Sequence, residues 1–185
     1  MRPTQFHGLV PTPALWREVP TARSAVVCVL FVPAPNKNDS DFIVLTRRTT
    51  SVNTHKGQIS FPGGRTESHD NGPADTARRE VEEELGVNAD HIHIIGSLPI
   101  TQSLDGAVIS PVVAYADYPA NLLRAADGEV AEIILVPWRE LQREKSEPFS
   151  FNIFGTWRTS NLFRVEPHLI WGLTANILAD ADLKL

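Results

Sequence analysis

The sequence predicts an α/β fold on three observations. β-rich runs recur along its 185 residues, two segments carry helical periodicity, and a 42% hydrophobic content suffices for one core without sign of a second. Ala25 to Val32 and Phe42 to Arg48 are the first strands, and the turn-rich Pro35-Asn36-Lys37-Asn38-Asp39-Ser40 between them makes a hairpin the simplest connection. Gly57 to Gly64 alternates small and apolar residues as a short strand does, then breaks in the turn Pro62-Gly63-Gly64. A helix follows over Pro73 to Leu85: proline suits its first turn, Ala74, Ala77, Val81 and Leu85 form a buried stripe, and Gly86 supplies a left-handed stop. His91 to Leu98, Val108 to Tyr115 and Val130 to Val136 read as further strands, Phe151 to Val165 as a late hairpin around Gly155, and Leu169 to Leu178 as a closing helix. Residues 1–22, proline-rich with an isolated Trp16, read as an arm packed on a domain formed by 23–185.

The stretch Arg79-Glu80-Val81-Glu82-Glu83-Glu84-Leu85-Gly86-Val87 is the most informative of the chain. At roughly 100° per residue, Glu80, Glu83 and Glu84 share one face while Glu82 points elsewhere. Like charges at these spacings repel, so the cluster needs open water or cations beside it. A solvated glutamate face is the commoner arrangement. Here the acids border the buried stripe, which favours a bound divalent ion, and Arg79, one turn before Glu83, is placed to hold that carboxylate by an ion pair.

These residues resemble the Nudix hydrolases, whose box reads G-x5-E-x7-R-E-U-x-E-E-x-G-U with U aliphatic. Arg79 to Val87 match its second half and Phe61 to Gly64 its usual lead-in, whereas Asp70 stands at the glutamate position and one extra residue separates it from Arg79. A second motif resembles the coenzyme A pyrophosphatase branch, L-L-T-x-R-[SA]-x3-R-x3-G-x-V-S-F-P-G-G. Val44 to Thr49 and Gly57 to Gly64 follow it, with Thr49 for the small residue, Ile59 for the valine and Asn53 for the second arginine; Ile170 to Ala175 also looks like that branch's closing helix.

The resemblance implies an α/β/α sandwich with a mixed sheet between helices. It implies a metal-dependent pyrophosphohydrolase, in which Glu80, Glu83, Glu84 and the carbonyl of Gly64 bind Mg²⁺ (or Mn²⁺), with Arg79 beside them and Glu80 a candidate base. The expected reaction is attack of metal-activated water on the diphosphate of coenzyme A or its thioesters, giving 3′,5′-ADP and a 4′-phosphopantetheine. Another nucleoside diphosphate derivative such as ADP-ribose is the alternative substrate, and a non-catalytic Nudix-like binding module a further one, disfavoured by the intact acids. Glu129 and Glu132 sit where some members place an additional acid; strand-edge charges are the plainer reading of both. Arg47, Arg48, His55 and Lys56 form a cationic segment suited to substrate phosphate, although strand alternation alone would turn at least one arginine to solvent.

Composition narrows the rest. A net charge of −5 argues against general nucleic-acid binding, and the longest apolar run is too short to cross a bilayer. With no basic-then-apolar N-terminus the expectation is a cytoplasmic protein, and the single cysteine, Cys28 in an apolar run, reads as a core thiol. His91 and His93, alternating on a predicted strand, read as structural. Oligomeric state has no signal in the sequence.

Overall fold

The computed structural model describes residues 24–36, 39–49, 57–153 and 155–180. The arm and Asn53, His55 and Lys56 lie outside these residues.

The chain runs β1 (Ser24–Val32), β2 (Phe42–Arg48), β3 (Ile59–Ser60), β4 (Gly63–Arg65), α1 (Pro73–Leu85), β5 (Ile92–Ser97), β6 (Thr101–Gln102), β7 (Val108–Ala116) and β8 (Val130–Pro137). It closes with α2 (Trp138–Leu141), β9 (Glu147–Ile153), β10 (Thr156–Val165), β11 (His168–Trp171) and α3 (Gly172–Asp180). The first eight strands form one mixed sheet, in which β1 pairs with β7 in parallel and the other pairings are antiparallel. β9, β10 and β11 form a second, antiparallel sheet.

Alternation along β1 splits its side chains between two cores. Val26, Cys28, Leu30 and Val32 pack with Ala77, Val81 and Leu85 of α1, and Val29 and Phe31 pack on the other face with Trp138, Phe163, Ile170, Ala175 and Ile177. The large sheet therefore has α1 on one side and α3 with the small sheet on the other. This is the layered α/β arrangement expected, with the difference that part of the second layer is sheet. Burial raises the Cys28 thiol to about 12, as befits a core residue.

α1 has the bounds predicted, and Gly86 ends it in the left-handed conformation (φ 69°) with its N–H on the Glu82 carbonyl at 2.9 Å. Two expectations are corrected. Leu169 to Trp171 belong to β11, because they pair with β10, and the closing helix starts only at Gly172. The late hairpin begins at Glu147, four residues before the predicted Phe151, because β9 pairs with β10 over its whole length.

One edge of β1 is shared. Leu30 to Val32 pair with β2, but Ala25 to Val27 pair with β4, so β1 and β2 diverge. The segment 57–65 fills the wedge, pairing first with β2 at Ile59 and Ser60 and then crossing to β1. The predicted diglycine turn is thus a short strand, in which backbone holds Gly63 to glycine while Gly64 lets the Glu80 carboxyl come close. A Cβ on Gly63 would meet the β1 backbone at the Val26 carbonyl and lie 2.8 Å from the Val27 Cα; one on Gly64 would lie 2.5 Å from the Glu80 carboxyl carbon. Because backbone on β1 cannot yield as a side chain can, Gly63→Ala should lower stability by about 2–3 kcal/mol, read as a lower urea midpoint at unchanged m-value.

Candidate active site

α1 lies over the wedge with its acids sorted by the helical stripe. Glu80 and Glu84 flank Val81 and are buried with it, whereas Glu83 is exposed. Glu84 is the deeper: the Gly63 N–H hydrogen-bonds its carboxylate, yet its Oε2 is buried with no hydrogen-bond partner among the described residues. Burial, reinforced by the charge of Glu80, raises the Glu84 carboxyl to about 8 against the pull of Arg48. Burial also raises Glu80, opposed by Arg79. No group of three or more His, Cys, Asp or Glu side chains is drawn together as a preformed ion site among the described residues.

Arg79 anchors the outer side. Its Nε and Nη2 grip both oxygens of Asp70 at 3.2 and 3.1 Å, Nη2 reaches the Arg65 carbonyl at 2.8 Å, and Nη1 reaches Glu80 at 2.8 Å and Glu83 at 3.1 Å. Asp70 also accepts from the Thr76 hydroxyl at 2.9 Å and the Glu67 N–H at 2.9 Å. So the shorter acid and the extra residue before Arg79 still close a two-toothed ion pair. Burial would raise Asp70, but hydrogen bonds from Arg79, Glu67 and Thr76 hold it at about 2.

The register of β4 decides which glycine carbonyl is open. Cys28 donates to Pro62 at 2.8 Å and Thr66 to Ser24 at 3.3 Å, so by the two-residue alternation Val26 and Gly64 are a hydrogen-bonded pair. The Gly64 carbonyl, expected to face an ion, is directed at β1. The N–H and carbonyl of Gly63 point the other way, and that N–H is the one on Glu84. A lone Gly-Gly in sequence does not carry this distinction, because it depends on pairing register.

The cationic and acidic candidates separate by face. Arg48 acts electrostatically on Glu84, and its Nε is buried without a partner among the described residues. Arg47, on the opposite side of β2, pairs with Glu132 at 2.8 Å and contacts His168 Nδ1 at 3.0 Å. Glu129 is the further acid that acts on both Glu80 and Glu84. It is brought there because Arg124 and Ala126 cap the Leu85 and Glu84 carbonyls at 2.9 and 3.0 Å, while the Glu129 carbonyl accepts from Thr49 at 3.0 Å.

A buried carboxylate oxygen with no partner among the described residues, a second buried acid set close against Gly64, and a backbone carbonyl turned away from β1 are hard oxygen donors. Together they fit a divalent cation. Glu80, Glu84 and the Gly63 carbonyl are the groups able to hold one, with Glu83 at the rim.

The model of the NUDIX domain matches residues 21–155. The chain belongs to the Nudix hydrolase family. It is an enzyme acting on pyrophosphate bonds, and Nudix hydrolases generally use divalent metal ions. It is 32% identical over 180 residues to proteins called uncharacterized Nudix hydrolase NudL in Salmonella paratyphi B and Salmonella newport, covering 94% of this chain and 88% of theirs. Among solved structures it resembles the Nudix hydrolase RenU from M. smegmatis (TM-score 0.52, 21% identity, 65% of this chain and 73% of that one). It also resembles a MutT/nudix family protein from Enterococcus faecalis (TM-score 0.55, 17% identity, 89% and 62%). No helix among the described residues is long and apolar enough to cross a membrane.

Two outcomes follow from this charge arrangement. Asp70→Ala strips Arg79 of its best-buried partner, and should cost about 3 kcal/mol in chemical denaturation, with turnover falling as Glu80 and Glu83 lose their anchor. Glu84 has a folded value of about 8 against an ordinary 4.5, so the native state holds its proton more tightly and metal-free stability should fall as pH rises through that window. In Glu84→Gln the decline should flatten, measured by thermal melts from pH 5 to 9 in chelator, and activity should drop by orders of magnitude.

Proposed function

We propose that the protein hydrolyses the diphosphate of coenzyme A or its thioesters with Mg²⁺, Mn²⁺ serving as a substitute, and releases 3′,5′-ADP and a 4′-phosphopantetheine. The observation that carries this reading is the course of the motif preceding the box. Val44 to Thr49 and Gly57 to Gly64 form β2, β3 and β4, the walls of the wedge, and Arg48 faces the acids from them. A substrate with negative charges on both sides of the scissile bond suits a cleft that sets a cation opposite buried carboxylates.

Glu80 and Glu84 would hold the ion with the Gly63 carbonyl, Glu83 would complete the set from the rim, and Arg79 would fix Glu80 and Glu83 in place. When bound, the ion neutralises diphosphate oxygens and lowers the pKa of a water. Arg48 supplies the remaining positive charge to a phosphate oxygen. Glu80 or Glu129 accepts the proton of the attacking water; Arg79 holds Glu80 at 2.8 Å, whereas no cation among the described residues forms an ion pair with Glu129. Water attacks phosphorus in line, the phosphoanhydride bond breaks, and the proton leaves on a carboxylate. Cys28, buried in the core between β1 and α1, takes no part.

A panel of nucleoside diphosphate derivatives, assayed with Mg²⁺ and Mn²⁺ and read by product mass, tests the substrate. Coenzyme A should be cleaved more efficiently than ADP-ribose, and Arg48→Gln should cost roughly tenfold to a hundredfold in kcat/KM, as a charge-assisted phosphate contact of about 1.5–3 kcal/mol predicts. Faster cleavage of ADP-ribose would reject coenzyme A as the preferred substrate and leave the hydrolase.

A further inference from the structure

We propose that Arg47 is a positioning residue, clamped by Glu132 and His168, that fixes the end of β2, opposite the β8 bulge, from which Arg48 projects, and the segment that carries the diglycine. The inference rests on the preceding reading only in taking Arg48 as the phosphate contact.

The guanidinium of Arg47 spends its donors on three separate parts of the chain. Nε donates to Glu132 on β8 at 2.8 Å, Nη2 meets His168 Nδ1 on β11 at 3.0 Å, and Nη1 reaches the Gly57 carbonyl at 3.5 Å. Arginine has donors only, so His168 must accept at Nδ1 and carry its proton on Nε2. A planar fork satisfied along three directions has lost the freedom a substrate-binding arginine needs.

The place of this clamp gives it a purpose. The register of β2 with β8 shifts between Arg47 and Arg48, which pair with Glu132 and Val130 and leave Ala131 as the extra residue. The extra residue lies on β8, so that strand carries the bulge, and the twist of the pair increases where β2 presents Arg48, on the Glu84 side. The backbone of Arg48 is tied to the same segment, its N–H on the Gln58 carbonyl at 3.1 Å and its carbonyl accepting from Gly57 at 3.2 Å. Arg47 thus holds Gly57 by side chain while Arg48 holds it by backbone. From Gly57 the chain runs through β3 directly to Gly63 and Gly64. His168 brings the small sheet into the arrangement, and the Thr174 hydroxyl, donating to the Ile59 carbonyl at 3.2 Å, adds a second tie from α3.

Three variants test this. Arg47→Lys keeps the charge but cannot span three acceptors; His168→Asn retains an acceptor near the position of Nδ1; His168→Leu removes it. With coenzyme A and ADP-ribose as parallel substrates, Arg47→Lys and His168→Leu should lower kcat roughly tenfold to a hundredfold with KM within about twofold, and His168→Asn should restore most of the loss. Amide hydrogen exchange at Arg48 and Gly57, measured without substrate, should quicken in the first two variants and stay near wild type in His168→Asn. A KM raised tenfold at unchanged kcat in Arg47→Lys would make Arg47 a substrate contact and overturn the proposal. So would equal behaviour of the Asn and Leu variants, or unaltered exchange in all three. If the wild-type protein cleaves neither compound, the substrate reading fails and the exchange measurement decides the clamp by itself.

Discussion

The arrangement of the outer acids on α1 hangs on one guanidinium. Arg79 lies between the loop before α1 and the outer acids of that helix, and it binds Asp70 with two nitrogens while reaching Glu80, Glu83 and the carbonyl beside the diglycine. Four carboxylates within two helical turns would otherwise push the helix away from the sheet. The arginine converts part of that repulsion into a fixed geometry, and Asp70, nearly buried, makes the grip firm enough to position neighbours. Glu84 is not among the acids Arg79 reaches; burial and the charge of Glu80 raise its proton affinity against the pull of Arg48 and of the Gly63 N–H.

The sheet supplies the second half of the design. Because β1 shares one edge between β2 and β4, a wedge opens where a continuous sheet would have hydrogen-bonded neighbours. Backbone groups of Gly63 are released into it, and α1 covers it. The two arginines at the end of β2 then divide the labour, Arg48 toward the acids and Arg47 toward the small sheet. A strand's alternation makes that division unavoidable; the choice of partners gives it meaning.

Much of this was legible from residue order. The helix and its limits were readable because Pro73, Gly86 and the stripe at Ala74, Ala77, Val81 and Leu85 are local signals that agree with one another. The longer strands of the main sheet were readable for the same reason, whereas β4, expected as a turn, and the two-residue β6 were not. Leu169 to Trp171 were not, since a short apolar run before a helix looks helical until a partner strand claims it. Which glycine carbonyl is open depends on register, and register is long-range information. Glu129 and Glu132 are three residues apart and alike in type, yet a bulge and a capped helix end send one to the acids and the other to Arg47. His168 was missed because a lone histidine before a predicted helix carries no motif, and its only signal is the donor that meets it in space.

The pairing of β1 with β7 joins positions as distant as Ala25 and Ile109, whereas β4 reaches β1 from a far shorter chain separation. Closing the longer loop costs more entropy and comes with the strand that completes the core beneath α1. In kinetic terms the shorter loop is the cheaper to close, and the core beneath α1 is complete only when the parallel strand has docked. Affinity for a divalent ion then belongs to the finished tertiary structure, and an ion present during refolding would leave the folding rate nearly unchanged while slowing unfolding.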